Sequence, residues 1–456
     1  MRRIICLTTC LAAVLAWASL GWGADRLVPS QYATIQAAVN AAVAGDRIVI
    51  SGTHVENGQI TIGGNDLTIT SGTPRADIRE SAWLVQGQNI TFDGIDINGD
   101  SVAGAQSTTV RDLVTLFPSA GDITFEGCKI VNPARGVNTG EDAFTNLDTH
   151  SNPGCAIDVR LSGPLTIRNC NFVNRDPGNG HNIGGLHFNQ AIGTPDGPVL
   201  IENCAFGVER RAIDFQSGWN NVTIRNCTFR GEVGAFNAAC GIFIHTDDVS
   251  PVGISNNFLI ENCQFLGNGV NTQAWVGMHM FAGEIHNVII RGCQFPIGVG
   301  GDDIYWRMRG DDLSIEDCTF DGSTGITLRM TVRVDAGNVS GIFAGDPRLV
   351  WRNCVIRNNT FTNLVGQCIS CGEGFVSGYL MFNNYFADMP ATYAFGALDL
   401  PFSGFIRDNE MVRCGASGIL GGISTVMNDS VIADNFILDC RTGITLRSSR
   451  GLYNDG

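Results

Sequence analysis

Apolar and polar residues alternate along much of this chain, and the alternation restarts at one short phrase. In NVTIRNCTF (221–229), Val222 and Ile224 alternate with Thr223 and Arg225, Asn226 interrupts, and Cys227 and Phe229 resume. A two-residue period marks a strand with one buried face. Asn tolerates the left-handed backbone of a sharp bend, so the phrase predicts strand, bend, strand. It returns as DITFEGCKI (122–130), PLTIRNCNF (164–172), PVLIENCAF (198–206), NFLIENCQF (257–265), NVIIRGCQF (287–295), DLSIEDCTF (312–320) and RLVWRNCVI (348–356). The Cys-to-Cys intervals run from 23 to 42 residues. A constant core with variable spacing means constant strands joined by variable loops. Less regular copies follow at YLMFNNYF (379–386), FIRDNEMV (405–412) and VIADNFIL (431–438).

Two residues before each Cys stand Glu126, Arg168, Glu202, Arg225, Glu261, Arg291, Glu316 and Arg352. The sign alternates without a break. Parallel stacking of successive copies would set every Glu between Arg residues, where opposite charges help and like charges repel. Strict alternation therefore predicts a parallel stack of coils, in which Cys128, Cys170, Cys204, Cys227, Cys263, Cys293, Cys318 and Cys354 form an inward ladder of small buried thiols.

Each coil has a third strand: AIDVRL (156–161), GLHFNQ (185–190), AIDFQS (212–217), GIFIHT (241–246), GMHMFA (277–282), DIYWRM (303–308) and GITLRM (325–330). Its second and fourth positions are apolar, so the residues between them must face outward. One outward column reads Asp158, His187, Asp214, Phe243, His279, Tyr305, Thr327, and the next reads Arg160, Asn189, Gln216, His245, Phe281, Arg307, Arg329. A merely solvated face would favour Ser, Thr, Lys and Glu. These columns carry acid–base groups and rings suited to sugar stacking. Six steps of ~4.8 Å give a strip of roughly 29 Å. Long segments flank this strand on both sides and would form groove walls.

Before the repeats, Ile35, Val39 and Val43 recur every four residues and predict a short helix, with Ser30 as N-cap and Gly45 as stop. It would cover the open end of the stack. The start MRRIICLTTCLAAVLAWASLGWGADR has a charged tip, an apolar stretch and small residues near Ala24, the pattern of a signal peptide over 1–24. Residues 25–456 then form a single domain. The expected location is secreted, cell-surface or periplasmic, with no membrane span after removal of the signal. The chain holds 16 cysteines, and export usually favours disulfides. A ladder position argues instead for thiols. The chain stops at GITLRSSRGLYNDG without a capping element, so either the sequence is a piece of a longer protein or a partner covers the last coil. The net charge of −15 argues against nucleic acid as partner.

The strand–Asn–strand unit, the opening helix and TIQAAVNAAVAGDRIVI (34–50) together resemble the right-handed parallel β-helix of the pectin-lyase-like superfamily. The resemblance covers nearly the whole mature chain. It implies an all-β solenoid of three strands per coil, with polysaccharide along one face, and leaves the activity open, because that fold carries lyases, hydrolases, esterases, epimerases and non-catalytic proteins.

Two centres are expected on the face. Asp158 and Asp214, two coils or ~9–10 Å apart with His187 between them, suit an inverting hydrolase in which one carboxyl donates a proton and the other activates water. At the other end, His279 or Tyr305 would take the proton of a β-elimination, while Arg307, Arg329 and His245 hold a uronate carboxylate. Arg160, Asn189, Gln216, Phe243, His245, Phe281, Arg307 and Arg329 are the expected substrate contacts. The four Asp of GGDDIYWRMRGDD (300–312) could hold Ca²⁺. No metal-ligand set is assigned, and a monomer is expected. Motifs of polygalacturonases and pectin methylesterases are only echoed, at NTGED (138–142), GHNIGG (180–185) and AIDFQSGWN (212–220). The expected function is polysaccharide binding and cleavage by a hydrolase or lyase, with a non-catalytic glycan-binding solenoid as the alternative.

Overall fold

In a computed structural model the protein is described over residues 23–99, 113–132, 155–161, 163–174, 185–188, 197–208, 211–216, 218–231, 239–245, 254–266, 275–296, 303–322, 326–329, 350–364, 368–372, 375–389, 394–415, 423–427 and 430–446. The apolar N-terminal stretch, Asn189 and most of the long flanking segments lie outside these residues.

The described residues form 38 strands and one helix. The strands pair in parallel, each with its counterparts one coil before and one coil after. In one coil, strand Leu165–Arg168 turns at Asn169 into strand Asn171–Asn174, and strand Leu186–Phe188 follows before Val199–Glu202 opens the next coil. The bend is a left-handed corner: φ is 55° at Asn169, 54° at Asn203, 54° at Asn226 and 53° at Asn262. Asn and Asp reach this region at lower cost than most side chains. Gly292 fills the same corner at φ 62°.

The core is a set of ladders, one residue per coil. Phe172, Phe206, Phe229, Phe265, Phe295, Phe320, Phe361 and Phe386 are stacked in sequence, with adjacent described rings 4.6–5.1 Å apart. Each such contact adds about 0.5–1.5 kcal/mol beyond its area. Beside them run the thiols of Cys128, Cys170, Cys204, Cys227, Cys263, Cys293 and Cys318, all buried and none in a disulfide. Their sulfurs donate to carbonyls of the preceding coil, as from Cys204 to Ile167 at 3.6 Å and from Cys227 to Ile201 at 3.7 Å. The adjoining Cys170 thiol and burial together push the Cys128 thiol far above its usual range.

Cys354 does not belong to this ladder. Thr319 and Phe320 pair with Thr360 and Phe361, which sets Asn359 next to Cys318, while Cys354 pairs with Leu313. The sequence phrase is displaced by five residues here, and the ladder changes chemistry. Asn359, Asn384, Asn409 and Asn435 replace the thiols. Each amide takes the peptide N–H of the preceding rung, as from Cys318 to Asn359 at 2.9 Å and from Asn359 to Asn384 at 3.0 Å.

The charge column survives the same correction. Arg225 meets Glu202 at 2.8 Å and Arg291 meets Glu261 at 2.9 Å, while Arg168 pairs with Glu126. Glu316 is met at 2.6 Å by Arg357, not by Arg352. The alternation is thus carried into the next coil by a different arginine.

The helix spans Ile35–Ala41 and is capped by Thr34, whose side chain accepts from Ala37 N–H at 3.1 Å. Glu56 from a following strand accepts from the N–H groups of Ile35 and Gln36 at 2.9 and 3.0 Å. These bonds outcompete Ser30 as the cap and start the helix later. Ile35 and Val39 are buried, but Val43 falls beyond the helix end and is exposed. The helix packs on the first coils, and no helix among the described residues is long and apolar enough to cross a membrane.

Candidate functional site

The third strand of each coil builds the site. Ile157, Val159, Leu186, Phe188, Ile213, Phe215, Ile242, Ile244, Ile304 and Trp306 are fully buried. Alternation turns the residues between them away from the core. The register aligns Asp158 with His187, His187 with Asp214, Asp214 with Phe243, Phe243 with His279, His279 with Tyr305, and Tyr305 with Thr327. Gln216, His245, Phe281 and Arg307 form the neighbouring row in the same way, and Arg329 pairs with Gly372. The first row is continuous in register from Asp158 to Thr327, and the second from Gln216 to Arg307.

Outward does not mean exposed at the first end of the row. Asp158 is 2% exposed, and His187, Asp214 and Phe243 are each 5% exposed. Gln216 is also buried, whereas Tyr305 is half-buried. Asp158 Oδ1 lies 3.2 Å from His187 Nδ1, and Asp158 Oδ2 accepts from Arg160 Nε at 2.6 Å. Burial alone would raise the Asp158 carboxyl. The hydrogen bond and charge of His187, with the charge and hydrogen bond of Arg160, outweigh it and hold the group below its ordinary value. Asp158 is therefore an ionised anchor at neutral pH.

Two contributors escaped the period. Arg211 donates to Asp214 Oδ2 at 2.6 Å and lies 3.7 Å from the centroid of the Phe243 ring. It thereby ties two coils of the row together through an ion pair and a cation–π contact. Its sequence signal is an arginine three residues before the aspartate. Cys155 is the other. Its sulfur, an Asp158 oxygen and a His187 nitrogen all lie within 4.8 Å of one another. It occupies the matching place, three residues before Asp158.

The described aspartates of GGDDIYWRMRGDD separate, and Asp302 lies outside the described residues. Asp303 is buried, Asp311 binds His286, and Asp312 sits at a corner with φ 56°, accepting from Asn353 at 3.0 Å. His286 also meets Glu284 at 3.0 Å, and these two carboxylates raise its pKa against the opposing effect of burial. This second carboxylate–imidazole cluster lies on the sheet that carries the charge column, away from the row.

The family model for the right-handed β-helix region matches residues 136–307 and 197–392, more than half of the chain. The chain belongs to the right-handed β-helix family. Several solved structures are similar to this chain at low identity. The Dettilon tailspike protein is 15% identical, with 81% of this chain and 68% of that chain covered at a TM-score of 0.47. Pectate lyase Pel9A is 14% identical, with 76% and 77% covered at 0.40. A mannuronic acid-specific family 6 lyase from human gut microbiota is 14% identical, with 90% and 87% covered at 0.40. No curated protein matches this β-helix in sequence.

Proposed function

We propose that this protein is an exported β-helix that binds an extended polysaccharide along the row from Asp158 to Thr327 and cleaves it at the Asp158–His187–Asp214 end. The observation that carries the reading is the chain Arg160–Asp158–His187, at 2.6 and 3.2 Å, on adjacent coils of that row. An ionised carboxylate against one imidazole nitrogen orients the ring and stabilises its protonated form. The depressed Asp158 carboxyl is a poor proton donor, so the acid–base role passes from Asp158 to His187. Asp214, one coil on and held by Arg211, supplies a second negative charge beside the imidazole. The neighbouring row from Gln216 to Arg307 and Arg329 would hold sugar hydroxyls or carboxylates. A row of chemically varied residues repeating at the coil spacing suits a polymer better than a small ligand.

A second reading has its own support. The enclosure of Asp158, His187 and Asp214 favours glycan recognition without turnover, because a reacting sugar must reach these groups. The test is a panel of neutral and uronic polysaccharides, read for new reducing ends and for unsaturated products. Cleavage by the parent protein, lost in His187→Gln but retained in Tyr305→Phe, supports the proposed centre. The reverse pattern moves the reaction to the His279–Tyr305 end. Binding of a polysaccharide with no product from any of them selects the non-catalytic reading.

A further inference from the structure

Cys155 keeps different company from the ladder thiols. The ladder cysteines lie within the apolar core, whereas Cys155 is 3% exposed yet stands outside that core, beside Asp158 and His187. We propose that Cys155, Asp158 and His187 form a binding site for one divalent transition metal of the zinc type. Thiolate, carboxylate and neutral imidazole are a donor set zinc accepts, at about 2.0–2.3 Å per bond. Tetrahedral donors at those lengths lie about 3.2–3.8 Å apart. The Asp158–His187 pair already sits at 3.2 Å, and the sulfur closes the triangle within 4.8 Å. A modest side-chain adjustment completes the set.

The surroundings fit as well. Arg160 occupies the far oxygen of Asp158 at 2.6 Å and leaves the oxygen nearest His187 to face the metal. Outer contacts of this kind fix the ligand carboxylate. A sulfur donor disfavours Ca²⁺ and Mg²⁺, which take oxygen ligands. Binding releases the Cys155 proton to solvent, moves the His187 proton off Nδ1 (to Nε2 of a neutral ring, or to solvent from an imidazolium), and replaces the Asp158–His187 hydrogen bond with two bonds to the ion. Three protein donors leave one position for water or a substrate oxygen. In the metal-bound protein, Asp158 and His187 serve as ligands. The site shares these residues with the proposed reactive centre but does not depend on glycan cleavage, and it is measured without substrate.

The whole chain, stripped with chelator, is titrated with Co²⁺ alone and then with Zn²⁺. One Co²⁺ per chain is expected, with a thiolate-to-cobalt charge-transfer band that Zn²⁺ displaces. Cys155→Ser should lose the band, Arg160→Ala should weaken binding about 10- to 100-fold, and Cys240→Ser should change neither. Circular dichroism of the stripped variants checks folding. If Cys155→Ser does not fold, His187→Gln is read instead and must lose stoichiometric uptake. Absence of the band in the parent, its persistence in Cys155→Ser, or unchanged uptake by His187→Gln would each overturn the site.

Discussion

Asp158 shows how a single side chain can be both anchor and functional group. Its native carboxyl titrates below its ordinary value, so its contribution to stability is present above the unfolded pKa near 4 and is lost as pH falls through the native one. Asp158→Asn should therefore cost about 1.5–3 kcal/mol at pH 7, and the gap from the parent should shrink below pH 4. Denaturant titrations at pH 7 and pH 3 measure both, and an equal gap at the two pH values would show that the charge is not the stabilising element. The row containing Asp158 was readable from a two-residue period. Its partners were less so. Arg160 follows directly after that strand, but Cys155 and Arg211 reach their aspartates from the strand's leading end, where no simple period assigns a face. Thr34 took the helix cap from Ser30 for a related reason: Glu56, which completes that cap, comes from a distant part of the chain.

At the scale of the strand, identical positions cooperate through the stack. Arg225 pairs with Glu202 and also lies in register with Glu261. Arg225→Glu should be less stable than Arg225→Ala by about 0.4–2 kcal/mol, two like-charge contacts of the usual size, and added salt should narrow the difference. Equal melting temperatures would mean the column does not sense its neighbours. The asparagine rungs should be costlier to lose. Asn384 accepts both the peptide N–H and the amide of Asn359, each at 3.0 Å, in a buried setting. Asn384→Ala strands those donors and should cost about 2–5 kcal/mol, seen as a lower denaturant midpoint. These rungs also show where sequence pattern misleads. RNCVI (352–356) copies the repeated phrase, yet the fold uses RNNTF (357–361), because Phe361 must continue the aromatic stack. The signal was the Phe two places after the rung, not the Cys itself.

Across the whole molecule, every described coil rests mainly on the coils above and below it, so stability is closer to a sum of neighbouring interfaces than to one central core. The thiol ladder then has a consequence for timing. In the finished stack its seven sulfurs are sealed among phenylalanines, and oxidised glutathione should leave them unmodified over hours, as mass mapping after denaturation and alkylation would show. Before the coils close, the same sulfurs lie on one unprotected chain, where any two can join. Refolding with oxidised glutathione should therefore recover far less folded protein than refolding with reductant, and equal recoveries would show that coil closure outruns thiol capture. An unbranched row of buried cysteines makes the order of events decisive: in an oxidising medium, this chain must bury its sulfurs before they find each other.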